Sequence, residues 1–290
     1  MNLSPRSRRL LRNGAIVAAF VLIAFVWWLV SFNDYQYDAM AYWSAGLDDP
    51  YRESVVGRRG TYLYSPAFAQ VTWPLTWLPW EVFRGLWAAL NLGALIWLAG
   101  PIIGAVLLVI PGSPVIDEVS TGNIHLLLAA ALFLAIRYPG AWTFPLLTKI
   151  TPGVAIGYLV GARRWRELGV AVGVTAAISV ASFLTVSHLW FAWADVLVAS
   201  SGVPVSEEIA VIPGPLLLRT GIAGIIAMTG GYLGWRWTVP VAAVVALPVP
   251  WSSGLSVLVA VIAMWRSGQL TEGRGHSTSQ GSSSTELASA

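Results

Sequence analysis

The sequence predicts an all-α, polytopic membrane protein, and three observations predict it. Hydrophobic residues fill 56% of its 290 positions and charged residues only 11%, against about 25% in an ordinary soluble domain. Apolar runs of span or half-span length follow one another from Gly14 to Trp265, as a chain that crosses a bilayer repeatedly requires. Arginines gather at the ends of those runs, where the positive-inside rule puts them in cytoplasmic turns. The formal charge of +3 is therefore no sign of a nucleic-acid partner. Cysteine is absent, which excludes disulfides, thiol nucleophiles and cysteine metal sites. No glycine loop for nucleotides, dinucleotide fingerprint, zinc spacing or serine elbow occurs.

Residues 1–13 form a basic N-terminus carrying Arg6, Arg8, Arg9 and Arg12. The apolar run Gly14 to Val30 ends in no small-residue cleavage site and reads as a retained first span. A single transmembrane domain is expected over 14–266, with about nine or ten crossings, several of half length. Residues 32–66 form a first outer loop that holds five of the fourteen acidic residues: Asp34, Asp38, Asp48, Asp49 and Glu53. Within it, 37–46 suits a short interfacial helix with Asp38 and Tyr42 on one face, and Asp48-Asp49-Pro50 is a turn signal. Residues 67–79 carry Pro74 and Pro79 and read as a broken crossing or a re-entrant segment. Gly100-Pro101 then divides 82–99 from 101–110, as a kink in one span or as a boundary between two.

Pro111 to Gly122 reads as an outer turn, and Ile124 to Ile136 as a helix descending to Arg137. The stretch 141–159 is interrupted by Lys149-Ile150-Thr151-Pro152. Two half-spans meeting at Lys149 keep Arg137 and Arg163-Arg164-Arg166 on one side, which favours a break there. Residues 167–186 rise, 187–215 form a second outer loop, and 216–234, 239–248 and 255–265 complete the bundle. The Gly/Ser/Thr-rich residues 267–290 read as a disordered cytoplasmic tail, so both termini lie inside.

A few polar residues stand out against this background. Asp38 sits among Tyr37, Met40, Tyr42 and Trp43, a setting in which partial burial tunes a carboxylate toward a general base and rings suit the apolar faces of a sugar. A solvated loop aspartate or a helix cap is the plain alternative, and Asp34 is the local competitor. Lys149 is the one lysine against sixteen arginines. At a helix break its point charge suits a phosphate, with Thr148 and Thr151 as nearby hydroxyls; snorkelling to the interface is the alternative. Asn123 suits the N-cap of the following helix, and His125 either supports the site or is a core histidine. His188 and Arg219 bracket the second outer loop; Arg219 answers an anionic group or anchors a helix. Arg58 and Arg59 bind lipid phosphate or merely solvate the first loop.

Taken in order, these pieces resemble the GT-C-fold membrane enzymes of glycosyltransferase family 87, which include polyprenyl-phosphate-mannose-dependent mannosyltransferases of actinobacteria. The resemblance runs from about Asn33 to Trp265. It rests on Asp38-Ala-Met-Ala-Tyr42-Trp43 with Asp49-Pro50-Tyr51, Tyr64-Ser65-Pro66, Trp73-Pro74-Leu75 with Leu78-Pro79, and Leu86-Trp87 with Leu90-Asn91. Further along it rests on Gly122-Asn123-Ile124-His125-Leu126, Lys149-Ile150-Thr151-Pro152 with Arg163-Arg164-Trp165, and Leu247-Pro248-Val249-Pro250-Trp251. His125 stands where the family more often has Asn, Ser252-Ser253 follow Trp251 where members often have histidine, and the chain is shorter than usual for the family.

The resemblance implies a GT-C-like fold in the cell membrane. It implies transfer of a sugar, mannose first, from a polyprenyl-phosphate donor to a glycolipid or glycan acceptor on the extracytoplasmic face. Inversion by a first-loop aspartate, Asp38 by position, needs no required metal and no cofactor. On that reading Lys149, Arg219, Arg58 and Arg59 are candidates for the donor phosphate. Tyr42, Trp43, Tyr64, Asn123, His125, His188 and Trp251 are candidates for the sugar and acceptor. A non-enzymatic polyisoprenoid carrier or degenerate enzyme is the second reading, and a membrane transporter the third. An enzyme requires Asp38 and Lys149 both to face one outer cavity open sideways to lipid, whereas a transporter requires polar groups near the bilayer midplane and along more than one helix.

Overall fold

The computed structural model describes residues 4–32, 36–52, 54, 58, 60–200 and 210–272. The described chain is helical almost throughout. In order, the α-helices are α1 (Pro5–Ser31), α2 (Tyr37–Ser44), α3 (Pro66–Thr72), α4 (Trp80–Ala99), α5 (Pro101–Val109), α6 (Pro114–Thr121) and α7 (His125–Ala135). They are followed by α8 (Thr143–Thr148), α9 (Gly157–Gly161), α10 (Trp165–Ser200), α11 (Leu216–Leu233), α12 (Thr238–Val245) and α13 (Val259–Arg266). Short 3₁₀ segments cover Trp73–Trp77, Pro139–Trp142, Thr151–Ile156 and Ser252–Leu258. Three helices start on the same Ser-Pro device. Ser4, Ser65 and Ser113 each accept a backbone N–H of the first turn, and the next residue is a proline at the first helical position.

Among the described residues, α1, α4, α10 and α11 are long and apolar enough to cross a membrane, which gives the chain a multi-pass membrane architecture. Helices α5 and α6 together pass the same test, but they are bent by 89°. The expected nine or ten crossings thus resolve into four long helices, this bent pair and several shorter apolar pieces. Residues 67–79 form the short α3 and a 3₁₀ turn, neither of them of span length. The break after Ala99 separates α4 from α5, with Gly100 at φ +80°.

Three sequence expectations need correction. The stretch from Ser187 is helical to Ser200, continuing α10 past a non-helical residue, Val186. It holds on to the bundle because Leu189 and Trp193 bury one face, and the Trp193 indole donates to the Leu63 carbonyl at 3.2 Å. The segment Pro111 to Gly122, expected as a turn, contains a capped helix, α6. Residues 267–272 are not a loose tail but fold back: the Trp237 amide donates to the Leu270 carbonyl, and the Glu272 carboxylate accepts from the Tyr158 hydroxyl at 2.7 Å. Arg164 at 2.9 Å and Arg236 at 3.6 Å complete that ion-pair cluster. The rest of the expected tail lies outside the described residues.

The core has three parts. Ala19, Ile23, Val26 and Val30 form one buried stripe of α1, packed on Leu92, Leu95 and Leu98 of α4, Leu108 of α5 and Ala263 of α13. Phe20, Phe25 and Trp28 face outward from the same helix, as a lipid-facing surface demands. A second cluster joins Leu128 and Leu132 of α7 to α9, α11 and α12. The third is aromatic. Tyr42, Tyr51, Tyr62, Tyr64, Phe68, Phe83, Trp87 and Trp193 gather around α2 and carry the site described next.

Candidate active site

Helix α2 is short, and two contacts fix its position. The Gln36 side-chain amide donates to the Val30 carbonyl at 3.0 Å, tying it to the end of α1. At the other side Gly122 ends α6 in the left-handed region, φ +71°, and a Cβ built there would stand 2.6 Å from the Ala39 Cβ. Only glycine supplies both that backbone conformation and that clearance. The close approach brings Asp38, in the first turn of α2, against Asn123, and the Asn123 Nδ2–H donates to Asp38 Oδ2 at 2.7 Å.

The orientation of the Asn123 amide follows from its neighbours. Its Oδ1 accepts from the Ile124 N–H at 2.8 Å and from Lys149 Nζ at 3.4 Å. With the Tyr42 hydroxyl at 3.5 Å as a third donor on Oδ1, Nδ2 is left facing Asp38, which is held as an acceptor. Asn123 was expected to cap α7, but the cap is elsewhere: Glu118 Oε1 takes the backbone N–H groups of His125 and, at 3.3 Å, Leu126. Asn123 is thereby free to bridge the carboxylate and the ammonium.

Lys149 reaches this point because α8 stops at Thr148 and the backbone turns extended at Lys149, φ −137° and ψ 93°. The break expected at Lys149-Ile150-Thr151-Pro152 is present. Lys149 Nζ is hydrogen-bonded to His125 Nε2 at 2.7 Å and lies 5.9 Å from the centre of the Tyr64 ring, a cation–π distance. His125 Nδ1 in turn is hydrogen-bonded to Glu118 Oε2 at 2.8 Å, and both side chains are fully buried. Glu118 escaped the sequence reading. The signal available was a carboxylate seven residues before a histidine at a helix start, with a Gly-Asn turn between them.

Aromatic rings wall the cluster. The Tyr42 and Tyr64 hydroxyls share a 2.8 Å hydrogen bond, and the Tyr42 ring contacts Tyr64, Phe68 and Trp87 at centroid distances of 5.1, 5.8 and 5.0 Å. Tyr51 OH donates to the Tyr64 carbonyl at 2.7 Å, and the Ser65 N–H donates to the Leu147 carbonyl at 3.3 Å, so the Tyr64 segment is tied to the end of α8 beside Lys149. The Trp87 indole donates to the Gly122 carbonyl at 2.7 Å and pins α4 to the α6–α7 turn. Asp38 and Lys149 themselves stay half-buried, reachable from outside the protein. Burial pushes the Asp38 carboxyl up to about 6, the Lys149 ammonium draws it down, and the Glu118 carboxylate adds to the rise.

The structure therefore brings together Asp38, Asn123, His125, Lys149, Tyr42 and Tyr64 of the residues singled out from sequence. Others stand apart. Trp43 turns away, donating to the Leu78 carbonyl at 2.8 Å and packing on Trp80. Arg219 is buried with its guanidinium on four backbone carbonyls: Gly214, Val245, Leu247 and Pro248. It anchors the end of α12, which accounts for an arginine in an apolar helix without a phosphate. His188 is exposed beyond the Val186 break. Trp251 is half-buried ahead of the 3₁₀ segment Ser252–Leu258, whose Gly254 abuts His125: a Cβ there would stand 3.9 Å from His125 Nε2. The Arg58 carbonyl accepts from the Thr61 hydroxyl at 3.0 Å, and Arg59 and Asp34 lie outside the described residues.

No curated protein and no solved structure matches this chain. A family model does, from residue 62 to residue 278, starting after Asp38 and including Asn123, His125 and Lys149. That match covers most of the sequence, and with the helical membrane architecture it places the chain in glycosyltransferase family 87.

Proposed function

We propose that the protein transfers a sugar, mannose first, from a polyprenyl-phosphate donor to a glycolipid or glycan acceptor on the extracytoplasmic face of the cell membrane. One observation carries this reading: a half-buried carboxylate and a half-buried ammonium, far apart in sequence, converge on the two ends of one fixed amide, Asn123. Asp38 takes the proton of the acceptor hydroxyl. The acceptor oxygen attacks the anomeric carbon from the side opposite the donor phosphate, and the bond from that carbon to the phosphate oxygen breaks, inverting the centre. Lys149 stabilises the phosphate as it leaves with the bonding pair. Tyr42 and Tyr64 shape the sugar site. Membership of the family supports a glycosyltransferase-like membrane function; donor, acceptor and base are our assignment.

The test is transfer in reconstituted vesicles from radiolabelled polyprenyl-phosphate mannose to membrane lipids, with a chelator present and protein-free vesicles beside them. Chelator-resistant, protein-dependent transfer is expected. Donor binding without transfer across a panel of sugars and acceptors would instead favour a carrier. The same assay gives a pH prediction. Burial lifts the Asp38 carboxyl to about 6, and a base acts only when deprotonated. Below about 6 the logarithm of the transfer rate should rise with pH at unit slope, and the rise should end there. A rate constant down to pH 4.5 would remove Asp38 as the base.

A further inference from the structure

We propose that Glu118 is a positioning residue: it sets the tautomer of His125 and, through it, aims the Lys149 ammonium at the donor phosphate. The inference rests on the reading of Lys149 as the phosphate group's partner. The chemistry starts with a carboxylate that is fully buried and fully used. Glu118 Oε1 accepts two backbone N–H groups at the start of α7, and Oε2 faces His125 Nδ1 at 2.8 Å. An ionised carboxylate only accepts, so Nδ1 carries the ring proton. The other ring nitrogen, Nε2, is then a lone pair, and that lone pair meets Lys149 Nζ at 2.7 Å. The opposite tautomer would point an N–H at an ammonium.

The ammonium is thus oriented by two acceptors, His125 Nε2 and Asn123 Oδ1. An ammonium has three N–H groups, and no acceptor among the described residues takes the third. That third N–H is the one left for a phosphate oxygen. Glu118 lies too deep for contact with a lipid-borne substrate, being fully buried. Its influence therefore passes through the ring. A plain capping role for Glu118 makes a different forecast, because glutamine preserves it. In Glu118→Gln the amide oxygen still accepts both backbone N–H groups, while its NH₂ faces Nδ1. The ring must then carry its proton on Nε2, donor against donor with Lys149.

The experiment measures equilibrium binding of tritiated polyprenyl phosphate and of the matching tritiated polyprenol to the full chain in nanodiscs. The ratio of the two affinities reports how well Lys149 meets the phosphate, which a packing change would not move. In the wild type the phosphate is expected to bind more tightly. Glu118→Gln should cut that preference by about tenfold, the worth of a hydrogen bond to a charged group, with polyprenol affinity unchanged. His125→Gln offers Lys149 a carbonyl that has no tautomer and should keep most of the preference. Adding Glu118→Gln to it should then cost nothing further, a non-additivity that identifies the shared route. An unchanged preference in Glu118→Gln, an equal loss for both ligands, failure of Glu118→Gln to assemble, or loss of the preference in His125→Gln would each overturn the inference. No preference in the wild type would be a separate failure, of the Lys149 reading itself, and the inference would fall with it.

Discussion

Asp38→Asn should lower sugar transfer by about 10²- to 10⁴-fold, the usual worth of a positioned general base, with folded protein recovered in normal yield. The substitution is nearly isosteric, and the reason it should spare the fold is local. Asn123 presents an N–H to Oδ2 at 2.7 Å, and the carbonyl of an asparagine at 38 accepts that bond as well. The amide then turns its NH₂ toward the position where a carboxylate lone pair would take the acceptor proton. Geometry is retained and basicity is lost. Asp38→Glu keeps the basicity but displaces it by one methylene, and a misplacement of that size costs about 10²-fold. Asp48→Asn is the matched control: the residue is exposed in the turn after α2 and should transfer at the wild-type rate. Full activity in Asp38→Asn with loss in Asp34→Asn would move the base to the competing loop aspartate.

The parts of this site that were legible in sequence are those whose residue type is costly in its setting. A lone lysine in an apolar stretch, followed by Thr-Pro, announces both a break in the helix and a reason for it, and Lys149 is where the helix breaks. The Asp38-to-Tyr42 spacing placed both on one face of a short helix, and α2 has that form. What sequence could not reveal is how each polar group is satisfied. Arg219 and Lys149 looked alike, as cations beside outer loops, yet Arg219 is occupied by four carbonyls that come from elements up to 29 residues away. Glu118 takes the capping role expected of Asn123 for a similar reason. Asparagine is the capping residue by type, and only the fold decides that Glu118 reaches the α7 amides while Asn123 bridges Asp38 and Lys149. The stretch after Val186 is polar in sequence, with His188, Asp195 and two tryptophans, whereas Leu189 and Trp193 suffice to seat it as a helix.

Gly161→Ala should destabilise the protein by about 1–3 kcal/mol or more, as forced overpacking does. In lipid, helices gain little from burying apolar surface against one another, so close backbone approach between small residues carries much of the association. Helices α9 and α11 cross in this way. A Cβ at Gly161 would lie 1.9 Å from the Met228 carbonyl oxygen, and one at Gly231 would lie 2.1 Å from the Tyr158 carbonyl oxygen. Both obstacles are backbone, so no rotamer change relieves them, and the two helices must separate. Separation also draws Tyr158 away from Glu272, Arg164 and Arg236, loosening the clasp that holds residues 267–272. Thermal unfolding in detergent should report a Tm lower by several degrees, at about 2–4 °C per kcal/mol for a domain of this size. Gly231→Ala should behave similarly. Gly173→Ala provides the contrast: it lies in the interior of α10, and a Cβ there meets nothing within 4 Å. Helix propensity alone then acts, and the change should stabilise by about 0.5–1 kcal/mol. Equal Tm values for Gly161→Ala and Gly173→Ala would mean that α9 and α11 do not meet backbone to backbone.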